Sequence, residues 1–181
     1  GRIIRYFAKD MPENSLYSCE PNEDILKLCM NLRVPGIMRR SDYRPKLLPF
    51  EEKFELIYAF SVFTHLSGKT HWECLQAIYD ALAPNGIAIL TVRPRAFIEI
   101  LKGQAKISNR DACEMARQFD EGQLAFSPYY EFPPVDGELT HGQALLPYQY
   151  IKLHWTKMFH LLGAISYPVD PYQIPVILKK R

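Results

Sequence analysis

Apolar and polar positions in the first half of the chain alternate between the spacing of strands and that of helices. Short apolar runs predict strands over residues 15–20, 37–41, 54–60 and 87–92. Apolar residues three or four positions apart predict helices over residues 2–9, 22–32 and 67–82. Strands and helices that alternate through short connections are typical of an α/β fold, in which helices cover a doubly wound, mostly parallel sheet.

Residues with capping preferences mark the ends of these helices. Asn22 suits the N-cap of the second helix, and Ser67 suits that of the third. The third helix should end at Pro84-Asn85-Gly86. Further along, Ser108 and Asp111 have the spacing of a capping box and predict a helix over 109–119.

The second half of the chain is less regular. Residues 123–143 contain prolines and aromatic residues without a period, so we expect an irregular insertion, at about 103–146, within a single domain of residues 1–181. A last helix from Pro147 to Gly163 is predicted by apolar residues at helical spacing, namely Tyr148, Ile151, Trp155, Met158 and Leu162. Two strands, over 164–168 and 174–179, should then form a C-terminal antiparallel hairpin at the sheet edge.

Composition narrows the class of protein. Hydrophobic residues make up 48% and charged residues 23% of the 181 positions, and the formal net charge is +2, as in ordinary globular domains. This charge gives no reason to expect a nucleic-acid partner. No apolar run approaches the roughly 20 residues of a membrane helix, and no signal-peptide pattern opens the chain, so we expect a cytoplasmic protein without a membrane partner. The four cysteines form no C-x-x-C pair, and no metal site is expected.

Small polar residues and a histidine follow the buried third strand in the segment LIYAFSVFTHL, residues 56–66. In an open α/β sheet, ligands bind outside the carboxyl ends of the strands. Ser61, Thr64 and His65 should therefore line a ligand crevice, and His65 is a candidate catalytic base because its unperturbed pKa lies near neutrality. The alternative is that Ser61 and Thr64 cap the next helix and that His65 is an ordinary surface residue.

Two acidic residues occupy the equivalent position after other strands. Glu20 ends the first strand, 19 positions after Gly1, close to the interval of about 20 residues at which an acid meets a ribose in nucleotide-binding folds. A carboxylate can accept hydrogen bonds from both ribose hydroxyls. Asp42 is placed to accept one from an adenine amine while Tyr43 flanks the ring. The alternatives are an ordinary acid at a strand end and, for Asp42, a turn before Pro45.

Four segments resemble, in their order, the successive motifs of the class I S-adenosylmethionine-dependent methyltransferases: CEPNEDILKLC, RSDYRPKLLPF, FELIYAFSVFTHLS and AIYDALAPNGIAILTV. The resemblance covers residues 1–92. It implies a Rossmann-like methyltransferase fold and S-adenosylmethionine as the cofactor. It also implies that Glu20 holds the ribose, that Pro21 and Asn22 lie by the adenine, and that Asp42 and Tyr43 flank that base.

The same resemblance places Phe60 and Ser61 in the pocket near the methionine part of the cofactor, and brings the loop through His65 close to the acceptor. Gly1 would be the last glycine of the family's G-x-G-x-G turn or, alternatively, the remnant of a cleaved tag. The strand and the turn that precede this glycine in the family are not in the sequence. We therefore expect a fragment that lacks the first strand of the sheet and binds the cofactor weakly.

The missing strand would lie at the centre of the sheet, between the strands that end at Glu20 and Phe60. Two outcomes are open. Either these two strands pair directly, or their exposed edges pair with another copy of the chain and form a homodimer.

These observations favour a methyltransferase that acts on a small-molecule acceptor, which the sequence does not identify. Two alternatives stay open. A nicotinamide-dependent oxidoreductase shares the interval between glycine and acid. A non-catalytic methyltransferase-like module would bind a protein partner through the aromatic-rich segment Phe126–Phe132 and would expose an apolar patch there.

Overall fold

The computed structural model describes residues 1–181 as a succession of helices and strands. The helices are α1 (Ile4–Phe7), α2 (Glu23–Asn31), α3 (Gly68–Ala81), α4 (Phe97–Gly103), α5 (Asn109–Asp120) and α6 (Tyr148–His154). The strands are β1 (Tyr17–Glu20), β2 (Ile37–Arg40), β3 (Phe54–Ala59), β4 (Leu82–Val92), β5 (Ala125–Pro128), β6 (Gly142–Leu145), β7 (Phe159–Ala164) and β8 (Ile174–Lys180). None of the helices combines the length with the apolar composition that crossing a bilayer requires.

The strands form three hydrogen-bonded sheets. The largest has the order β3-β4-β8-β7, in which β3 and β4 are parallel and β8 is antiparallel to both of its neighbours. β1 and β2 form a separate parallel pair, and β5 and β6 form an antiparallel ribbon. The predicted α/β class and the C-terminal antiparallel hairpin are therefore confirmed, with β7 at the edge of a mixed sheet.

β1 and β3 share no ladder of backbone hydrogen bonds, so these two strands do not pair directly. Aromatic rings connect the two sheets instead. The ring of Tyr17, at the start of β1, lies 5.1 Å from that of Phe54, at the start of β3, and 5.4 Å from that of Phe50. Phe7 of α1 stacks on Tyr58 of β3 at 5.2 Å between ring centroids. Contacts between side chains, rather than a strand ladder, hold the two sheets together here.

The main core lies between the largest sheet, α3 and α6. Its side chains with less than 2% exposure include Phe63, Leu75, Leu90, Trp155, Phe159 and Leu178. Full burial of an apolar side chain of this size stabilises the fold by about 1.5–3 kcal/mol. A smaller cluster packs α4 and α5 against the β5–β6 ribbon. The ribbon is therefore anchored, and it can position residues for a site.

Several predicted helix caps are confirmed. The Oδ1 atom of Asn22 accepts hydrogen bonds from the backbone N–H groups two and three residues later. Ser108 and Asp111 form the predicted capping box, in which each side chain accepts a hydrogen bond from the backbone N–H of the other residue. Ser67 occupies the N-cap position of α3, but its hydroxyl donates to the Thr70 hydroxyl rather than capping the helix.

Predictions for the end of the chain need correction. The last helix ends at His154, and residues 159–164 form β7, because pairing with β8 stabilises an extended backbone there. Leu162 and Gly163 therefore lie in a strand, and most of the strand predicted over 164–168 is loop. The insertion that we expected to be irregular contains the β5–β6 ribbon. Tyr148 is 52% exposed, whereas Trp155 is fully buried.

α2 buries a different face from the one that its pattern predicts. Ile25, Leu28 and Leu32 are 46%, 55% and 58% exposed, whereas Leu26 is only 9% exposed. The reason is that the strands contacting α2 are β1 and β2, which form a narrow pair outside the main sheet. The apolar stripe of this helix therefore has no strand beneath it.

Candidate active site

Glu20 stands at the carboxyl end of β1, beside Arg40 at the end of β2. Its side chain is partly buried and folds back on the turn that opens α2. There Oε1 accepts a hydrogen bond of 2.9 Å from the backbone N–H of Asn22. This bond orients the carboxylate, while Oε2 makes no hydrogen bond within the chain. One oxygen of Glu20 is therefore available to a donor on a ligand.

Asp42 and Tyr43 follow β2 and are exposed, Tyr43 by 50%. The next residue, Arg44, anchors this segment. Its Nε and Nη2 atoms donate to Glu73 of α3 at 2.8 and 2.5 Å, and Nη1 donates to Asp136 at 3.1 Å. The segment is therefore tied to α3, and the two side chains predicted to flank a base are free to meet a ligand.

Phe60 and Ser61 follow β3, and the backbone at Ser61 has a φ of +59°, in the left-handed region that non-glycine residues seldom adopt. The Ser61 N–H donates to the Thr91 hydroxyl at 2.7 Å. The Ser61 hydroxyl lies 3.2 Å from that of Thr64 and accepts a bond of 3.2 Å from Nε2 of Gln173. Oε1 of Gln173 is buried without a partner. The hydroxyls of Ser61 and Thr64 contact one another, and that of Ser61 also accepts from Gln173, so they do not cap α3.

His65 lies between the loop after β3 and the β5–β6 ribbon. Its Nδ1 donates to the carbonyl oxygen of Gly142 at 2.7 Å, which leaves the lone pair on Nε2. Nε2 faces the Nη2 atom of Arg93 at 3.4 Å. Burial lowers the pKa of His65 to about 4, and the charge of Arg93 acts in the same direction, whereas the bond to Gly142 opposes both. The imidazole is therefore neutral near pH 7 and weakly basic.

Arg93 follows β4 and is 8% exposed. Its Nη1 donates to Oε1 of Gln143, whose Nε2 in turn donates to the hydroxyl of Tyr129. The guanidinium carbon lies 4.1 Å from the centroid of the Phe97 ring, a cation–π geometry. Nε is buried without a partner. Burial lowers the pKa of Arg93. The charge of Asp170 opposes this shift, although Asp170 lies beyond ion-pair distance. The cation is thus buried without a carboxylate beside it.

A groove of about 690 Å³ opens beside Tyr129, whereas Arg93, Gln143 and Phe97 are not among its lining residues. It is lined by the connection between α4 and α5 and by the end of β5, including Tyr129, which also belongs to the hydrogen-bond chain from Arg93. Lys106 lines the groove as well, and its charge contributes to lowering the pKa of His65. Glu131 adds a negative charge to the same wall. The volume lies in the range of about 300–1,000 Å³ that is typical of small-molecule sites.

Comparison with known proteins identifies the family. A profile of the methyltransferase domain matches residues 1–90. The protein PH0226 from Pyrococcus horikoshii OT3 has a TM-score of 0.62 and 13% identity, over 97% of this chain and 76% of its own. An S-adenosylmethionine-dependent methyltransferase from Methanosarcina mazei has a TM-score of 0.59 and 14% identity, over 91% of this chain and 81% of its own. The chain belongs to the class I S-adenosylmethionine-dependent methyltransferases.

A third similar structure is the glycopeptide N-methyltransferase MtfA, complexed with S-adenosylhomocysteine. Its TM-score is 0.56 at 12% identity, over 92% of this chain and 73% of its own. A search of curated protein sequences found no significant match. The identities of 12–14% establish a shared methyltransferase fold.

The predicted site residues of this methyltransferase fall into two groups. The first lies at the ends of β1 and β2 and consists of Glu20, Pro21, Asn22, Asp42 and Tyr43. The second lies after β3 and consists of Phe60, Ser61 and His65. No hydrogen bond or ring contact joins the groups. Gly1 lies against Val34, where an added Cβ would be 2.6 Å from Cγ2 of the valine.

The candidate site also contains Arg93, Tyr129, Gln143 and Gln173, none of which is among the site residues predicted from the sequence. Arg93 follows β4 directly, just as Ser61 follows β3, so the position after a strand was a usable signal. Tyr129 and Gln143 reach the site only because the ribbon folds over this end of the sheet. No local pattern in the sequence indicates that contact.

Proposed function

We propose that the chain transfers a methyl group from S-adenosylmethionine to a small-molecule acceptor. The observation that carries the proposal is the position of Glu20, at the carboxyl end of β1 with one carboxylate oxygen unpaired. Such an oxygen is the acceptor that ribose hydroxyls require. The similar structures support the choice of cofactor, because MtfA is complexed with S-adenosylhomocysteine in one structure and with S-adenosylmethionine in another.

The residues at the strand ends fit this cofactor. We assign Glu20 to the ribose, Pro21 and Asn22 to the neighbourhood of the adenine, and Asp42 with Tyr43 to the flanks of that base. Both Asp42 and Tyr43 are exposed and uncommitted, as a ligand contact requires.

Phe60 and Ser61 are assigned to the pocket of the methionine part. The backbone at Ser61 is fixed by Thr91 of the neighbouring strand, so the pocket wall is held in place before a ligand arrives. When bound, S-adenosylmethionine would supply a methyl group on a positively charged sulfur, and the C–S bond would break as the acceptor bonds to the methyl carbon, which leaves a neutral thioether. Alignment of two bound reactants can remove several kcal/mol from a barrier, about 7–11 in favourable cases. We propose that alignment is the main contribution of this chain.

His65 is the proposed catalytic base, since its Nε2 lone pair faces the interior of the site. With a pKa of about 4, it would accept a proton only from an acidic acceptor group or transiently. Its second role is structural, because it connects Gly142 of the ribbon to Arg93.

We further propose that the 181-residue chain binds the cofactor weakly and can form a homodimer. β1 and β3 each have one neighbouring strand only, so each has an edge that can pair with another copy. Because no ladder fixes β1 against β3, the two groups of site residues are not held in one rigid sheet. A ligand that contacts both groups must supply the free energy that orders them.

Thermal unfolding with millimolar ligand distinguishes the candidate functions. A ligand at about ten times its Kd adds roughly 1.4 kcal/mol to the free energy of unfolding. We expect S-adenosylhomocysteine to raise the Tm and NADH to leave it unchanged. The opposite result would favour the oxidoreductase. No shift with either ligand would favour the non-catalytic module, whose aromatic segment exposes Tyr130 by 76% and Phe132 by 49%.

A further inference from the structure

Arg93 differs from other arginines of the chain in what meets its guanidinium. Arg44 and Arg95 both present the edge formed by Nε and Nη2 to a carboxylate. The distances are 2.8 and 2.5 Å to Glu73 and 2.6 and 2.7 Å to Asp120. At Arg93 the same edge has an unpaired Nε and an Nη2 whose contact is the long one, 3.4 Å, to His65.

A buried cation without a counter-charge is costly. Buried charges in proteins are normally paired, because the low dielectric removes the solvation of each ion. The partners of Arg93 are the neutral side chains of Gln143 and His65 and the face of Phe97. These partners orient the guanidinium and carry no negative charge, and Asp170 acts on it only from beyond ion-pair distance. The arrangement suits a group that acquires its counter-ion from a ligand.

We propose that Arg93 binds an anionic group of the methyl acceptor, a carboxylate or a phosphate, that enters from the groove beside Tyr129. The inference rests on the proposed function, because it takes the end of β3 and β4 as the place where methyl transfer occurs. The anion takes the place of the long contact with His65 and pairs with the free edge of the guanidinium. The ring of Phe97 lies beneath Arg93, and the ring of Tyr129 lines the groove and is connected to Arg93 through Gln143. Both rings suit an acceptor with a planar body.

The cofactor also carries a carboxylate, on its methionine part. The contacts of Arg93 favour the acceptor as the source of the anion. Gln143, the partner of Arg93, lies in the β5–β6 ribbon, and Gln143 in turn donates to Tyr129, which follows β5. The ribbon and this segment border the groove. The residues proposed to bind the nucleoside lie instead at the ends of β1 and β2. Arg93 follows β4, which belongs to the largest sheet, whereas Glu20 ends β1, which pairs with β2 in a separate sheet.

NMR titration of the full chain tests this proposal with benzoate and phenyl phosphate as anionic probes and benzamide as the neutral probe. We expect the two anions to shift the Nε–H resonance of Arg93 in a saturable way, and benzamide to leave it in place. Arg93→Gln should weaken benzoate binding by at least about tenfold, the loss of one charge-assisted interaction. The matched control is Arg95→Gln, which removes an arginine that is exposed and paired with Asp120 and should leave benzoate binding unchanged.

Separate titration of S-adenosylhomocysteine keeps the two proposals apart. We expect benzoate and S-adenosylhomocysteine to bind together, and Arg93→Gln to leave the affinity for the nucleoside within about twofold. Displacement of benzoate by S-adenosylhomocysteine would assign the anion to the cofactor and overturn the inference. An equal response to benzamide, or an equal loss in Arg95→Gln, would also overturn it. Should Arg93→Gln not fold, the wild-type titration and Arg93→Lys decide the matter. Benzoate binding without any nucleoside binding would contradict the proposed function and leave the anion site standing.

Discussion

The indole Nε1 of Trp155 donates a hydrogen bond of 2.9 Å to Nε2 of His71 in the centre of the core. Both residues are 0% exposed. Because Nε2 accepts this bond, the proton of His71 is on Nδ1, which is buried without a partner. Burial, with a smaller contribution from His154, lowers the pKa of His71 to about 3. The imidazole is therefore neutral in the folded protein and joins α3 to the segment after α6.

The low pKa of His71 predicts that stability falls in mild acid. In the unfolded chain the pKa of a histidine is about 6.5, so the unfolded state binds a proton between pH 6.5 and about 3 that the folded state does not bind. The contribution is fully present above pH 6.5 and is lost as the pH falls. Between pH 6.5 and 5 the free energy of unfolding should decrease by roughly 1.6 kcal/mol from this residue. Urea titrations at the two pH values measure it.

A matched pair of variants separates this effect from general acid sensitivity. His71→Phe should be less stable at pH 7, because the Trp155 N–H loses its acceptor, but should lose less stability on acidification. His160→Gln changes an exposed histidine and should retain the full pH dependence. An unchanged pH dependence in His71→Phe would contradict the assignment.

The face that α2 buries gives a second prediction. Leu26→Ala should decrease the free energy of unfolding by about 2–3 kcal/mol, since it removes a buried side chain. Leu28→Ala should cost less than about 1 kcal/mol, because Leu28 is 55% exposed. The two leucines are two positions apart in one helix, so they share its propensity and differ in burial. Denaturant unfolding that gives the reverse order would mean that the apolar stripe of α2 is covered in solution.

Features set by neighbouring residues could be predicted from the sequence. The cap at Asn22 and the capping box of Ser108 and Asp111 need only the spacing of adjacent positions. The positions of Glu20 and Ser61 followed from the rule that ligands bind beyond the ends of strands. These predictions concern order along the chain, which the pattern of apolar residues carries directly.

Features set by distant residues could not be predicted in the same way. Leu162 and Gly163 fit a helical period, yet pairing with β8 makes their segment a strand. The apolar stripe of α2 has the spacing of a helix that faces a core, but its burial depends on which strands lie beneath the helix. The contact of Gln143 with Arg93 joins residues 50 positions apart. Each outcome depends on tertiary packing, which overrides local preference.

The separation of β1 from β3 predicts weak cofactor binding by the 181-residue chain. The two groups of site residues are joined by no strand ladder, so part of the binding free energy is consumed in ordering them. We expect a Kd for S-adenosylhomocysteine above roughly 100 μM, so that binding releases less than about 5.5 kcal/mol of free energy. Calorimetric titration measures it, and a low-micromolar constant would show that the two groups are already held in place.

The proposed cofactor site depends on the carboxylate of Glu20. Replacing it by an amide keeps the size of the side chain and removes the charge that strengthens hydrogen bonds from ribose hydroxyls. Glu51→Gln is the matched control, because Glu51 is exposed and makes no side-chain hydrogen bond. Far-ultraviolet circular dichroism of both variants should match that of the wild type.

The most direct test is therefore the affinity of the wild type, Glu20→Gln and Glu51→Gln for S-adenosylhomocysteine, measured by ligand-observed NMR at millimolar concentration. We expect Glu20→Gln to weaken binding by about tenfold or more and Glu51→Gln to leave it unchanged. Equal affinity of all three proteins would rule out a ribose contact by Glu20.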